Sequence, residues 1–155
     1  MRDERERFMG RALRLAKKAA SIGEVPVGAV IVKDGKVIAT GYNKRETCKN
    51  ALAHAEIIAI NRACRKLGGW RLHMCDIYVT LEPCPMCAGA IINARIKTVY
   101  VGAEDRSRGA LGSFCDLTSA PGLYHPRVEF GCLQQDCSIV LTEFFRSLRR
   151  DETQR

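Results

Sequence analysis

The stretch from Asp76 to Val101 constrains the fold more than any other part of the chain. Asp76 to Leu81 (Asp-Ile-Tyr-Val-Thr-Leu) has the length and the aliphatic and aromatic content of a buried strand. Pro83 breaks it, a helix follows from about Cys84 to Ala94, and Thr98 to Val101 is again strand-like. A strand that passes through one helix into a second strand sets the two strands parallel, with the helix packed across them. The rest of the chain must be arranged around this unit.

Upstream, Phe8, Ala12, Leu15, Ala19 and Ile22 recur at helical spacing, and Gly23 ends that helix. Two β-type runs, Val25 to Val32 and Lys36 to Tyr42, flank Asp34-Gly35, a pair that suits a tight hairpin because both turn positions favour positive φ. A polar loop from Asn43 to Ala53 leads to a helix from His54 to Leu67, closed by Gly68-Gly69. Beyond Val101 comes a Gly-rich stretch from Gly102 to Gly122, then a short strand near Val128 to Phe130 and a final helix over about Ser138 to Arg150. The order α-β-β-α-β-α-β-β-α predicts an α/β fold, a central mixed sheet with helices on both faces.

Length and charge narrow the function. The chain has 155 residues, 46% hydrophobic and 27% charged, with no repeat, low-complexity tract or linker, so one domain over 1–155 is expected. No apolar stretch approaches the ~20 residues of a membrane helix. The charged, amphipathic start lacks the apolar centre of an export signal, which predicts a cytoplasmic protein. With 25 Lys and Arg against 17 Asp and Glu, the net charge of +8 favours a polyanion, of which nucleic acid is the commonest in a cell. Arg2, Arg5, Arg7, Arg11, Arg14, Lys17 and Lys18 fall in the first helix, and Arg146, Arg149, Arg150 and Arg155 at the other end. If the two ends meet, they form one basic surface.

The eight cysteines are too sparse for a disulfide scaffold. Cys84 and Cys87 form the one tight pair; the other six read as small buried hydrophobes. A Cys-x-x-Cys at a helix start can turn two sulfurs toward one metal, where the helix dipole favours thiolates. His54 would add a neutral imidazole, giving a Cys₂His set, and three protein ligands leave a fourth tetrahedral position on zinc open for water. Glu56 then needs no metal bond and can carry protons between that water and a leaving group. Two other readings of the same residues are a dithiol redox pair, which gives His54 and Glu56 no task, and a closed structural site with Cys48 or Cys75 as fourth ligand.

His54-Ala55-Glu56 followed by Pro83-Cys84-Pro85-Met86-Cys87 resembles the signature of the zinc-dependent nucleoside and nucleobase deaminases. Within that superfamily the chain resembles the TadA-type tRNA adenosine deaminases. The matching segments include Glu24 to Val30, Gly41-Tyr42-Asn43, Thr80 to Ala90, Gly102-Ala103-Glu104-Asp105, Gly109 to Ser113 and Phe144-Phe145-Arg146. Tyr124-His125-Pro126-Arg127 departs from the family's Asn-His-Arg.

The resemblance implies a three-layer α-β-α cytidine-deaminase-like fold with a five-stranded sheet, one Zn2+ per subunit on His54, Cys84 and Cys87, and Glu56 as the proton carrier. It implies a tRNA anticodon stem-loop as substrate, adenosine to inosine as the reaction, and a homodimer. Val25 would line the pocket, Asn43 would bond the base or its ribose, the backbone at Ala55 and Glu82 would read the base edge, and Asp105 would approach the ribose. Phe144 and Phe145 are expected mainly in the core of the last helix, the alternative being that one of them faces the flipped nucleotide. The nearest rival within the superfamily is a deaminase of free guanine or cytosine.

Overall fold

Asp34 and Gly35 both take positive φ, 51° and 72°, the mirror-image turn whose twist matches that of the strands it joins. The hairpin they close is the edge from which the sheet is built. In the computed structural model, which describes residues 3–155, the elements are α1 (Glu4–Ser21), β1 (Gly28–Lys33), β2 (Lys36–Tyr42), α2 (Ala55–Leu67), β3 (Cys75–Leu81), α3 (Pro85–Asn93), β4 (Thr98–Ala103), β5 (Arg127–Phe130) and α4 (Gln134–Thr153). A single 3₁₀ turn, Leu117–Ser119, interrupts the Gly-rich stretch. Among the described residues no helix is long and apolar enough to cross a membrane.

The sheet runs β2-β1-β3-β4-β5. β1 is antiparallel to β2 and β3, whereas β3, β4 and β5 are mutually parallel, so the mixed five-stranded sheet and the βαβ unit are as expected. Alternation along the strands sends Ile31, Ile77, Val79, Val99 and Val101 into a core shared with α2 and α3. Val30, Val32 and Tyr78 point the other way, against Phe8, Met9, Ala12 and Leu13 of α1 and Cys137 of α4. These are the three layers. Because α1 and α4 also touch each other, the exposed Arg11, Arg14, Lys17 and Lys18 lie on the same side of the sheet as Arg146, Arg149 and Arg150. Arg2 falls outside the described residues.

Several boundaries differ from the pattern-based expectation, each for a local reason. β1 begins at Gly28, not Val25, because the Val27 N–H folds back onto the Val25 carbonyl at 2.9 Å and Pro26 has no N–H to pair. α1 stops at Ser21, leaving Ile22 as an exposed cap, and its buried stripe runs through Phe8, Met9, Ala12, Leu13, Ala16 and Ala19. α4 starts earlier than expected and buries only Cys137 completely. Phe144 is half-buried and Phe145 is 43% exposed, so the expectation that this pair belongs to the core is corrected. Cys48, expected to be a buried hydrophobe, is exposed.

Candidate active site

Two helix N-termini converge beyond the end of β3. His54 is the N-cap of α2 and Cys84 the N-cap of α3, both with extended backbone, and neither spends its side chain on capping. Pro85 suits the first position of α3 because the N–H it lacks has no intrahelical partner there. Cys87 follows within the first turn, which turns its sulfur to the same side as that of Cys84. The His54 Nδ1 lies 3.7 Å from Cys84 Sγ and 3.5 Å from Cys87 Sγ. Nitrogen and sulfur on a tetrahedral zinc, at bond lengths of about 2.0–2.3 Å, stand about 3.5 Å apart. Both nitrogen–sulfur distances therefore match those of a zinc-bound set, and the three ligand atoms all lie within 4.8 Å of one another.

His54, Cys84 and Cys87 are the sole members of this ligand cluster among the described residues. Neither Cys48 nor Cys75 joins it, so the closed four-ligand site is not formed. The hydrogen bond from Cys87, reinforced by His54, pulls the Cys84 thiol down to about 4. The same contact with Cys84, with burial, pushes Cys87 up, and Cys84 also raises His54. Cation binding displaces such protons.

Glu56, in the first turn of α2, is 4% exposed. Burial raises its carboxyl above the ordinary range against the hydrogen bonds that would lower it, one of them from Cys87. Its neighbour Ala55, the first residue of α2, has no intrahelical acceptor for its N–H.

The set sits in a cleft of about 660 Å³, ample for a nucleoside. Val25, Asn43, Ala55, Glu82 and Asp105, the substrate-contact residues expected from sequence, all line it together with His54, Glu56 and Cys84. Cys87 lies behind them, fully buried. Asn43 is held in place, its Nδ2 donating to the Val25 carbonyl at 3.2 Å and its Oδ1 accepting from the Arg45 N–H at 3.1 Å. Asp105 uses Oδ1 to close a turn, accepting from the N–H groups of Ser107 and Arg108 and from the Ser107 hydroxyl. The Glu82 N–H is committed to the Ala103 carbonyl at 2.9 Å.

Residues that sequence reasoning did not single out complete the cleft. Arg45, Arg106 and Arg108 place positive charge on the rim, and Leu141 of α4 forms an apolar wall with Phe145, which the sequence had assigned mainly to the core. Glu24, 1% exposed, accepts from the Glu46 and Thr47 N–H groups at 3.0 and 2.9 Å and so ties down the loop that leads to His54. Burial pushes its carboxyl up, but the Thr47 and Glu46 hydrogen bonds and nearby Arg45 outweigh this and hold it below the ordinary range. The one available signal was a carboxylate immediately before an apolar run.

The three-layer fold and its His/Cys/Cys cluster define an enzyme of the cytidine-deaminase type. Comparison with known proteins narrows this. The chain belongs to the MafB19-like deaminase family, whose model matches residues 3–149. It is 45% identical over 146 residues to the tRNA-specific adenosine deaminase of Bacillus subtilis (strain 168), covering 94% of this chain and 91% of that one. The Aquifex aeolicus (strain VF5) tRNA-specific adenosine deaminase is 43% identical over 148 residues, 95% of this chain and 97% of that one. Among solved structures, one from work on A-to-I editing by tRNA:A34 deaminases at the wobble position superposes with a TM-score of 0.85 at 45% identity, over 87% of this chain and 99% of the other. The guanine deaminase of Bacillus subtilis gives a TM-score of 0.62 at 49% identity over 64% of each chain.

Proposed function

We propose that this protein is a zinc-dependent hydrolase that converts adenosine to inosine at the wobble position of a tRNA anticodon. The observation that carries the reading is the open three-donor cluster at the cleft floor, with buried Glu56 beside it. Relatives named for tRNA adenosine deamination, aligned over nearly the whole chain, support the substrate. The likeness to the Bacillus subtilis guanine deaminase covers only 64% of the chain, and the arginine rim suits a polyanion better than a free base.

Zinc held by His54, Cys84 and Cys87 would supply a Lewis acid that makes water a nucleophile near neutral pH. Glu56 accepts a proton from the attacking water, whose oxygen adds to C6 of the adenine, and delivers it to N1; it then takes the proton of the new C6 hydroxyl and passes it to the departing amine. The C6–N bond breaks, ammonia leaves, and the carbonyl of inosine remains. Its raised carboxyl pKa suits a group that must both take and give a proton near neutrality.

The Ala55 N–H and the Asn43 amide face the base and ribose, Val25 and Phe145 pack against the flipped ring, and Asp105 offers its remaining oxygen to a ribose hydroxyl. An unpaired anticodon loop keeps the cost of flipping to a few kcal/mol. Arg45, Arg106 and Arg108, with the basic clusters of α1 and α4, take phosphates. We further infer that residues 1–155 act as one deaminase domain with one Zn2+ per subunit, that two copies pair, and that the protein works in the cytoplasm, where its substrate resides.

Incubating the purified protein with an anticodon stem-loop, free adenosine, guanine and cytosine, with and without a zinc chelator, tests the reading. Inosine in the stem-loop that disappears on chelation is expected. Turnover of free guanine or cytosine in preference to the stem-loop would replace it.

A further inference from the structure

Glu82 follows the last residue of β3, immediately before the Pro83-Cys84 turn, and is 2% exposed. Among the described residues no Lys, Arg or His side chain pairs with it. Instead its carboxylate accepts from the loop that follows β4: from the Asp105 N–H at 3.3 Å through Oε1, from the Leu111 and Ser113 N–H groups at 3.0 and 3.2 Å through Oε2, and from the Ser113 hydroxyl through Oε1. Gly109 lacks a Cβ where that carboxylate lies, and the Ala110 N–H donates to the Pro83 carbonyl at 2.9 Å. The loop so held carries Asp105, Arg106 and Arg108 into the cleft. From the Asp105 N–H the restraint continues through Asp105 Oδ1 to the Arg108 N–H, 3.1 Å away.

We propose that Glu82 is a positioning residue for substrate binding: its side chain fixes the Asp105–Ser113 wall of the cleft and acts on the RNA through Asp105. Both oxygens are engaged by the loop, so the group is not a proton carrier for the reaction. The inference rests on the deaminase reading for its kinetic test, but the restraint itself can be read without substrate.

Glu82→Gln separates the two ends of the loop. With its carbonyl oxygen in the place of Oε2, glutamine still accepts from Leu111 and Ser113. Its amide nitrogen, in the place of Oε1, can donate to the Ser113 hydroxyl but opposes the Asp105 N–H, donor against donor. The substitution therefore releases the Asp105 end alone. The expected result is a KM for the stem-loop raised about tenfold, the size of one lost charge-assisted hydrogen bond, with kcat within about twofold and zinc content unchanged.

Amide hydrogen exchange at Asp105 to Arg108 should accelerate in the absence of RNA, while that at Leu111 should not. Glu82→Gln added to Asp105→Ala should raise KM no further than Asp105→Ala alone. Ser113→Ala, which removes one donor at the other end of the loop, should raise KM in the same direction by a smaller factor and serves if Glu82→Gln fails to fold. An unchanged KM in both variants, full additivity with Asp105→Ala, or a fall in kcat that tracks lost zinc would overturn the proposal. Absence of wild-type turnover on the stem-loop would instead refute the deaminase reading, and the exchange measurement would then decide the restraint alone.

Discussion

Gly41 lies on β2 directly beneath the first turns of α2, the helix whose start carries His54 and Glu56. A Cβ there would stand 2.9 Å from the Ala59 nitrogen and 3.2 Å from the Ile58 Cβ, and closer still to the Ala55 carbonyl oxygen. Two of these three atoms are helix backbone, so no side-chain rotation relieves the contact. Gly41→Ala must push the N-terminal half of α2 off the sheet by about 1 Å to restore van der Waals separations. Overpacking of this kind costs about 1–3 kcal/mol, and at this chain length each kcal/mol lowers the melting temperature by about 2–4 °C.

The larger effect falls on the site, because the same shift carries His54 away from Cys84 and Cys87 and Glu56 away from the cleft floor. A misplacement of about 1 Å costs on the order of 100-fold in rate. Thermal melting, zinc content by mass spectrometry and kcat on the stem-loop read the three consequences. Gly10→Ala is the control, since nothing lies within 4 Å of its Cβ and α1 gains about 0.5–1 kcal/mol. A Gly41→Ala protein that melts at the wild-type temperature with full zinc and unaltered kcat would refute the close-packing argument.

Glu24→Gln should cost about 1.5–3 kcal/mol at pH 7, because its amide nitrogen must oppose one of the two N–H groups that the carboxylate accepts from. Because the folded pKa is lowered, this contribution is fully present above the unfolded pKa and is lost as pH falls through the folded one. The stability gap in denaturant titrations should therefore close only under acid, below the ordinary carboxylate range; a gap that closes on raising the pH contradicts the assignment. Arg106→Ala should weaken stem-loop binding and reduce the slope of log K against log salt by about 1, and an unchanged slope means no phosphate contact. Phe145→Ala should raise KM while leaving the melting temperature nearly unchanged, since the ring is 43% exposed; a large loss of stability would return Phe145 to the core.

What the sequence disclosed depended on whether the controlling contacts were local. The hairpin followed from Asp34-Gly35 between two β-type runs, and β2 lies where its run placed it, Lys36–Tyr42. The parallel β3-β4 pair followed from a strand, a proline break, a helix and a strand in close succession. His54, Glu56, Cys84 and Cys87 converge because two helix starts meet, and the sequence marked one by a polar loop and the other by Pro83.

Long-range contacts were hidden. Leu133, the N-cap of α4, sits at φ 51°, a conformation that a leucine does not announce, so the start of that helix was misplaced. With one face of α4 lying over the cleft mouth, Phe145 became a wall of the site instead of core. The buried carboxylates of Glu24 and Glu82 pair with N–H groups more than twenty residues away, a relation that periodicity does not encode.

Replacing Glu56 by glutamine tests the central claim most directly, with zinc content and inosine formation measured on the same preparations. The account predicts one zinc per chain in both proteins, with inosine in the anticodon stem-loop from the wild type and none above background from the variant. Full turnover by Glu56→Gln, or wild-type turnover by protein stripped of zinc, would contradict it.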